Sequence, residues 1–223
     1  MSNLREKYPG IVEKIKNEID TYEYFMKNIK NFFETTKVKI YVHSLKSRIK
    51  DIDHILEKVE RKNIILSKNK APTITAENIL TEITDIAGIR VLHLHQSQFE
   101  IIHNAIMSAV ENEEYALLEK PKAYTWDPES KIYFKSLGLT PHLKHSFYTS
   151  IHYLLTPNAA NRTVCCEVQV RTLLEEVWGE VDHTMNYPKE HKDYSCKQQI
   201  KVLARLIGAG SHLADSIMKT YQK

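Results

Sequence analysis

Two apolar segments rich in β-branched and aromatic residues, SFYTSIHYLL (146–155) and TVCCEVQV (163–170), are separated only by the turn-like PNAANR. So short a connection folds two strands back on each other, because a parallel pair needs a crossover of a dozen or more residues. Part of any sheet in this chain is therefore antiparallel, and a single doubly wound parallel sheet is excluded. A third segment, DIAGIRVLHLH (85–95), is a nearly continuous apolar run and reads as a buried strand. The remaining pattern is helical. Ile11, Ile15, Ile19, Tyr22, Phe25 and Ile29 mark one long helix, or two joined ones, from about Ser2 to Thr36. The alternation of Val38, Ile40 and Val42 precedes a helix over Ile52–Lys62. A polar linker then runs from Leu66 to Thr75, followed by helices over Ala76–Glu82 and Ser97–Glu111. A short strand is expected in EEYALLEK, and a loop with one helical turn over Pro121–Pro141. Helices over Arg171–Tyr187 and Cys196–Met218 close the chain. Helices at both ends around mixed strands define an α+β fold with a mixed sheet. The expected organisation is one domain, with a helical extension over 1–36, a core over 37–190 and a terminal helix over 191–223.

Composition adds boundaries. The 223 residues are 42% hydrophobic and 26% charged, with a net charge of +3. That suits a soluble globular protein and is less basic than a dedicated nucleic-acid binder. No run approaches the ~18 apolar residues of a membrane span, and the first residues alternate charge with apolar side chains, unlike a secretory leader. Cys165, Cys166 and Cys196 form no zinc spacing and no disulfide framework, so a reducing cytoplasm is expected.

Four groups of residues carry candidate chemistry. Asp85 precedes one strand and Glu167 lies inside another. A carboxylate among apolar neighbours is costly unless compensated, and magnesium with phosphate oxygens compensates it well. Asp85 as a cap and Glu167 on a solvated edge satisfy the same pattern. In CEVQVRT, Glu167, Gln169 and Arg171 share one face, which reads as the floor of a polar site or as an ordinary solvated sheet face. Lys46, Arg48, Lys50, Lys58, Arg61 and Lys62 form a basic cluster suited to a triphosphate or to solvent. In KHSFYTSIHY, Tyr148, Ser150 and His152 alternate onto one side behind Lys144, an arrangement able to stack a base and hold its phosphates.

Taken together, SRIKDIDHILEKVERK, ITDIAGIRV, KHSFYTSIHYLL and CEVQVRTLLEEVWGEVDHTMNY, in that order between about Tyr41 and Tyr187, resemble the synthetase domain of the RelA/SpoT family. The resemblance implies a nucleotidyltransferase-like mixed sheet and a pyrophosphokinase that moves the β,γ-pyrophosphate of ATP to the 3′-hydroxyl of GDP or GTP, releasing AMP. It implies Arg48, Lys50, Lys58, Arg61 and Arg90 on ATP, and Asp85 and Glu167 on Mg²⁺. Lys144, Tyr148, His152 and Arg171 fall on the acceptor, with Tyr148 stacking guanine, and Gln169 completes the floor. Glu167 and His152 are alternative general bases. Relatives with the same motifs that pyrophosphorylate the 3′ end of tRNA, as toxins with an antitoxin partner, are a second reading, for which Lys27, Lys30, Lys37 and Lys39 are a candidate tRNA surface. An inactive nucleotide sensor is a third. The helical ends are of a kind that builds homo-oligomers. The chain departs from the family in Phe147, where Gly is common before the tyrosine, in His54, where Ser is usual, and in the long Glu119–Pro141 segment.

Overall fold

In the computed structural model, residues 4–144, 146–159, 164–186 and 191–221 are described. Helix α1 (Leu4–Lys7) leads into α2 (Pro9–Thr35), whose Ile11, Ile15, Tyr22, Phe25, Met26, Ile29 and Phe33 form a single buried stripe at helical spacing. A 3₁₀ turn (Lys37–Tyr41) connects to β1 (Ser44–Ile49), and α3 (Ile52–Lys68) starts on Asp51, whose side chain accepts from the Asp53 amide. There follow α4 (Ile79–Glu82), β2 (Ala87–His93), α5 (Ser97–Glu111), β3 (Tyr115–Leu117), β4 (Lys122–Thr125), α6 (Pro128–Ser136), β5 (Thr140–Leu143), β6 (Ser150–Pro157), β7 (Cys166–Thr172), α7 (Leu173–Asn186) and α8 (Tyr194–Tyr221).

The strands form one mixed sheet in the order β1-β2-β7-β6-β4-β5, with β3 beside β6. β6 and β7 pair antiparallel, as the hairpin requires, whereas β2 and β7 run parallel, as do β4 and β5. Ile89, Val91, Val168, Val170, Ile151 and Tyr153 point to one side, where they join the stripe of α2 and Phe99, Ile102 and Ile106 of α5 in the main core. Period-two alternation then sends the polar residues of the same strands to the opposite face.

Several expectations shift. The Val38–Val42 alternation is not a strand: Val38 is buried, Ile40 is 77% exposed, and pairing with β2 begins only at Ser44. α3 runs on to Lys68, so the linker starts at Asn69, and the helix expected at Ala76 is the single turn α4. The Pro121–Pro141 stretch is a β4–α6–β5 unit rather than a loop. Asp127 caps α6 by accepting from the Ser130 amide, with Pro128 at the first helical position. β6 begins at Ser150, leaving Tyr148 just outside it. α7 begins at Leu173 because Thr172 and Glu175 form a reciprocal capping box, each side chain bonded to the other's amide. The turn residues 160–163, Ser2 and Tyr187 lie outside the described residues. Cys165 and Cys166 are buried free thiols, and burial pushes the Cys165 thiol up to about 12.

Candidate active site

The polar face of the sheet carries one register row that crosses β1, β2, β7, β6 and β4. Lys46 stands opposite Arg90, Arg90 opposite Gln169, Gln169 opposite His152, and His152 opposite Lys122. A second row places Arg48, Gly88 and Glu167 side by side. An open cleft of about 200 Å³ over these rows is lined by Lys46, Arg48, Asp85, Arg90, Glu167 and Gln169 among others. Residues far apart in the chain thus converge because sheet register, not sequence proximity, sets their spacing.

At one end of the cleft, Asp85 is held by Lys50 at 2.5 Å and Lys58 at 2.8 Å. Burial would raise its pKa, but the two ammonium groups outweigh that and hold the carboxyl below the usual range. Lys50 moves the other way, since its desolvation exceeds the help from Asp85. At the centre, Glu167 Oε2 accepts from Gln169 Nε2 at 2.7 Å and Glu167 Oε1 lies 3.0 Å from His152 Nδ1. Burial pushes the Glu167 carboxyl up, and His152 and Gln169 more than reverse it. His152 Nε2 lies 2.8 Å from the Tyr148 hydroxyl, so a continuous hydrogen-bonded chain runs Gln169–Glu167–His152–Tyr148. Beyond it Tyr124 meets the His152 ring edge-on at 4.9 Å, and the Lys144 ammonium lies 4.4 Å over the Tyr124 ring.

The structure therefore gathers Arg48, Asp85, Arg90, Glu167 and Gln169 in one cleft. Lys50 and Lys58 join through Asp85, and Tyr148 and His152 through Glu167. Lys144 is exposed beside Tyr124. Arg61 is not brought in: it is exposed on α3, a turn beyond Lys58, and outside the cleft lining. Arg171 is 3% exposed and outside the cleft lining, ion-paired to Glu176 with its guanidinium 5.9 Å from the Tyr148 ring.

Sequence reasoning missed two features. Tyr124 lies in the segment read as loop. Glu176, a 4% exposed carboxylate on α7, binds Lys46 Nζ at 2.7 Å, Arg90 Nη1 at 3.1 Å and Arg171. Its neighbour one turn on, Glu180, also pairs with Arg90. The Glu176–Glu180 spacing of one helical turn, directly after a polar strand, was the available signal.

Two carboxylates facing one cleft suit Mg²⁺, which takes one or two protein carboxylates and fills its remaining positions with water and phosphate oxygens. Among the described residues no larger cluster of His, Cys, Asp and Glu is assembled for a metal.

Glu175 carries a pH-dependent share of stability. Burial pushes its carboxyl from 4.5 up to about 7, against the Thr172 hydrogen bonds and the Arg171 charge, with Asp127 adding to the rise. A carboxyl that holds its proton more tightly when folded favours the folded state in acid. This contribution is full below pH 4.5 and is lost as pH rises to about 7. In urea unfolding, Glu175→Gln is expected to gain on the wild type between pH 5 and pH 8 by on the order of 3 kcal/mol. Parallel pH profiles for the two proteins would contradict the assignment.

With the geometry established, comparison with known proteins gives the class. A family model described as the region found in RelA/SpoT proteins matches residues 47–192, more than half of the chain. The chain belongs to the RelA/SpoT family. It is 22% identical over 185 residues to the GTP pyrophosphokinase YjbM of Bacillus subtilis (strain 168), covering 81% of this chain and 70% of that protein. It is 25% identical over 184 residues to YwaC, a GTP pyrophosphokinase of the same organism, covering 79% and 77%. Its fold matches the small alarmone synthetase 1 of B. subtilis bound to its product pppGpp, at TM-score 0.66 and 17% identity, over 94% of this chain and 96% of the other. It also matches a GTP pyrophosphokinase family protein of Streptococcus pneumoniae, at TM-score 0.69 and 18% identity, over 94% and 93%. These likenesses bear out the mixed-sheet α+β fold.

Proposed function

We propose that the protein is a small alarmone synthetase that transfers the β,γ-pyrophosphate of ATP to the 3′-hydroxyl of GDP or GTP, with AMP leaving. The single observation that carries this reading is the cleft itself, where two carboxylates and a row of cations meet on one sheet face and Tyr148 is tied to Glu167 through His152. Arg48, Lys46 and Arg90 hold the ATP phosphates from β1 and β2, with Lys50 and Lys58 beside them. Asp85 and Glu167 hold Mg²⁺, which when bound neutralises phosphate charge and orients the triphosphate. Tyr148 and Lys144 receive the acceptor nucleoside and its phosphates. The 3′-oxygen forms a bond to the β-phosphorus while the bond from that phosphorus to the α,β-bridging oxygen breaks. The hydroxyl proton passes to the Glu167–His152 pair, whose 3.0 Å contact lets either group share it. Placement and charge supply most of such a transfer.

The rest of the reading follows the same line: one synthetase domain with helical ends, working in the cytoplasm. No helix among the described residues is long and apolar enough to cross a membrane. The outer face of α8 exposes Val202, Leu206, Leu213, Ile217 and Tyr221, a stripe that a homo-oligomer would cover. The tRNA reading has less support. Lys27 and Lys30 pair with Glu23 and Glu34 along α2, on the sheet side away from the cleft.

The test is to offer GDP, GTP and bulk tRNA separately, with Mg²⁺ and γ-³²P-ATP. Label in a guanosine nucleotide is the expected result. Label confined to tRNA would replace the acceptor and bring in the antitoxin-paired reading. Label in neither would leave the inactive sensor.

A further inference from the structure

Phe147 has a φ of +63°, in the left-handed region where a bulky side chain is a genuine outlier. It immediately precedes Tyr148, at the end of a turn closed by its own amide donating to the Lys144 carbonyl at 3.3 Å. What holds it there lies outside the cleft. Its ring packs on Trp126 with centroids 5.0 Å apart, and the Arg205 guanidinium of α8 lies 5.8 Å from the centre of the ring. Trp126, Phe147 and Tyr148 pack against the small core made by Trp178 of α7 with Ala204 and Ile207 of α8. The α8 backbone comes so close that a Cβ on Gly208 would lie 3.2 Å from Trp126 Cζ2, and the Trp178 indole donates to the Ile200 carbonyl at 3.1 Å. α8 begins at Tyr194, beyond the residues 47–192 matched by the family model.

We infer that Phe147 is a positioning residue, a wedge clamped by Trp126 and α8, which fixes the left-handed turn that presents Tyr148 to the acceptor nucleotide. Through this wedge α8, none of whose described residues lines the cleft, governs acceptor binding. The inference rests on the acceptor role of Tyr148 in the proposed reaction.

Two substitutions separate the ring from the backbone. Phe147→Ala removes the ring and keeps a residue that avoids positive φ. Phe147→Gly removes the ring but enters the left-handed region freely. Steady-state kinetics with GDP varied at saturating ATP, then ATP varied at saturating GDP, should show Phe147→Ala raising KM for GDP about tenfold, the size of one residue's left-handed preference. Phe147→Gly should recover part of that loss, with KM for ATP within about twofold in both variants. Gly208→Val, which crowds Trp126 from α8, should reproduce the GDP-selective rise. Equal effects of Ala and Gly, or KM for ATP rising in step with KM for GDP, would overturn the inference. If the wild type transfers nothing to GDP, the acceptor reading fails first, and amide hydrogen exchange decides the wedge by itself. Faster exchange at Tyr148 and Thr149 in Phe147→Ala than in Phe147→Gly supports it, and exchange unchanged from wild type in both overturns it.

Discussion

Asp85→Asn is expected to lower transfer by on the order of 10²-fold or more while leaving ATP binding without Mg²⁺ intact or tighter. The reason is local. Asp85 neutralises Lys50 and Lys58, which hold it at 2.5 and 2.8 Å. Removing its charge frees two ammonium groups for the triphosphate and at the same time removes one of the two carboxylates that face the cleft. Binding and turnover should therefore move in opposite directions, a split that general unfolding does not produce. Glu167→Gln should cut turnover at least as far, because the same side chain also bonds His152. Titrating nucleotide binding by calorimetry with and without Mg²⁺, alongside turnover, checks both. Turnover near wild type in either variant would contradict the assignment of the carboxylates.

The second large effect is on Glu176. It sits 4% exposed and joins Lys46 of β1, Arg90 of β2 and Arg171 of β7. Burial raises its pKa, and the surrounding cations reverse this and hold it below the usual range. Arg90 and Lys46 have Glu180 as a second partner, but Arg171 is 3% exposed and among the described residues its ion pair is with Glu176 alone. Glu176→Gln keeps the shape and strands that guanidinium, so a loss of about 3 kcal/mol is expected, at the lower end for a broken buried pair. Glu176→Asp should recover part of it. ATP affinity should fall as well, since Arg90 and Lys46 lose their common anchor. Urea unfolding at pH 7 measures the first effect, and a change under about 0.5 kcal/mol, the size of an ordinary surface substitution, would contradict the role given to Glu176.

Much of this was legible in the chain because it is local. α5 falls on Ser97–Glu111 as its apolar spacing predicts, and the antiparallel β6–β7 pair follows from the short turn. Alternation in CEVQVRT separates Glu167 and Gln169 from Val168 and Val170, as the sheet bears out. What was not legible is either too short or too distant. β4 and β5 have four residues each, too few to show a period, and β5 contains Pro141. The DP pair that caps α6 was a readable signal inside that stretch. The Glu176 anchor depends on partners 130 and 86 residues away, which only the sheet register brings together. Arg171 shares the polar face by alternation, yet α7 folds over that end of the sheet and buries it. No periodicity argument contains that.

The most direct test of the central claim follows both ends of ATP. The purified protein is incubated with GDP, Mg²⁺ and ATP labelled in separate reactions at the α- and γ-phosphorus. Pyrophosphate transfer predicts γ-label in a guanosine product, α-label in AMP, and equal amounts of the two. The α-label in ADP, or AMP formed with no label in any guanosine nucleotide, would contradict it.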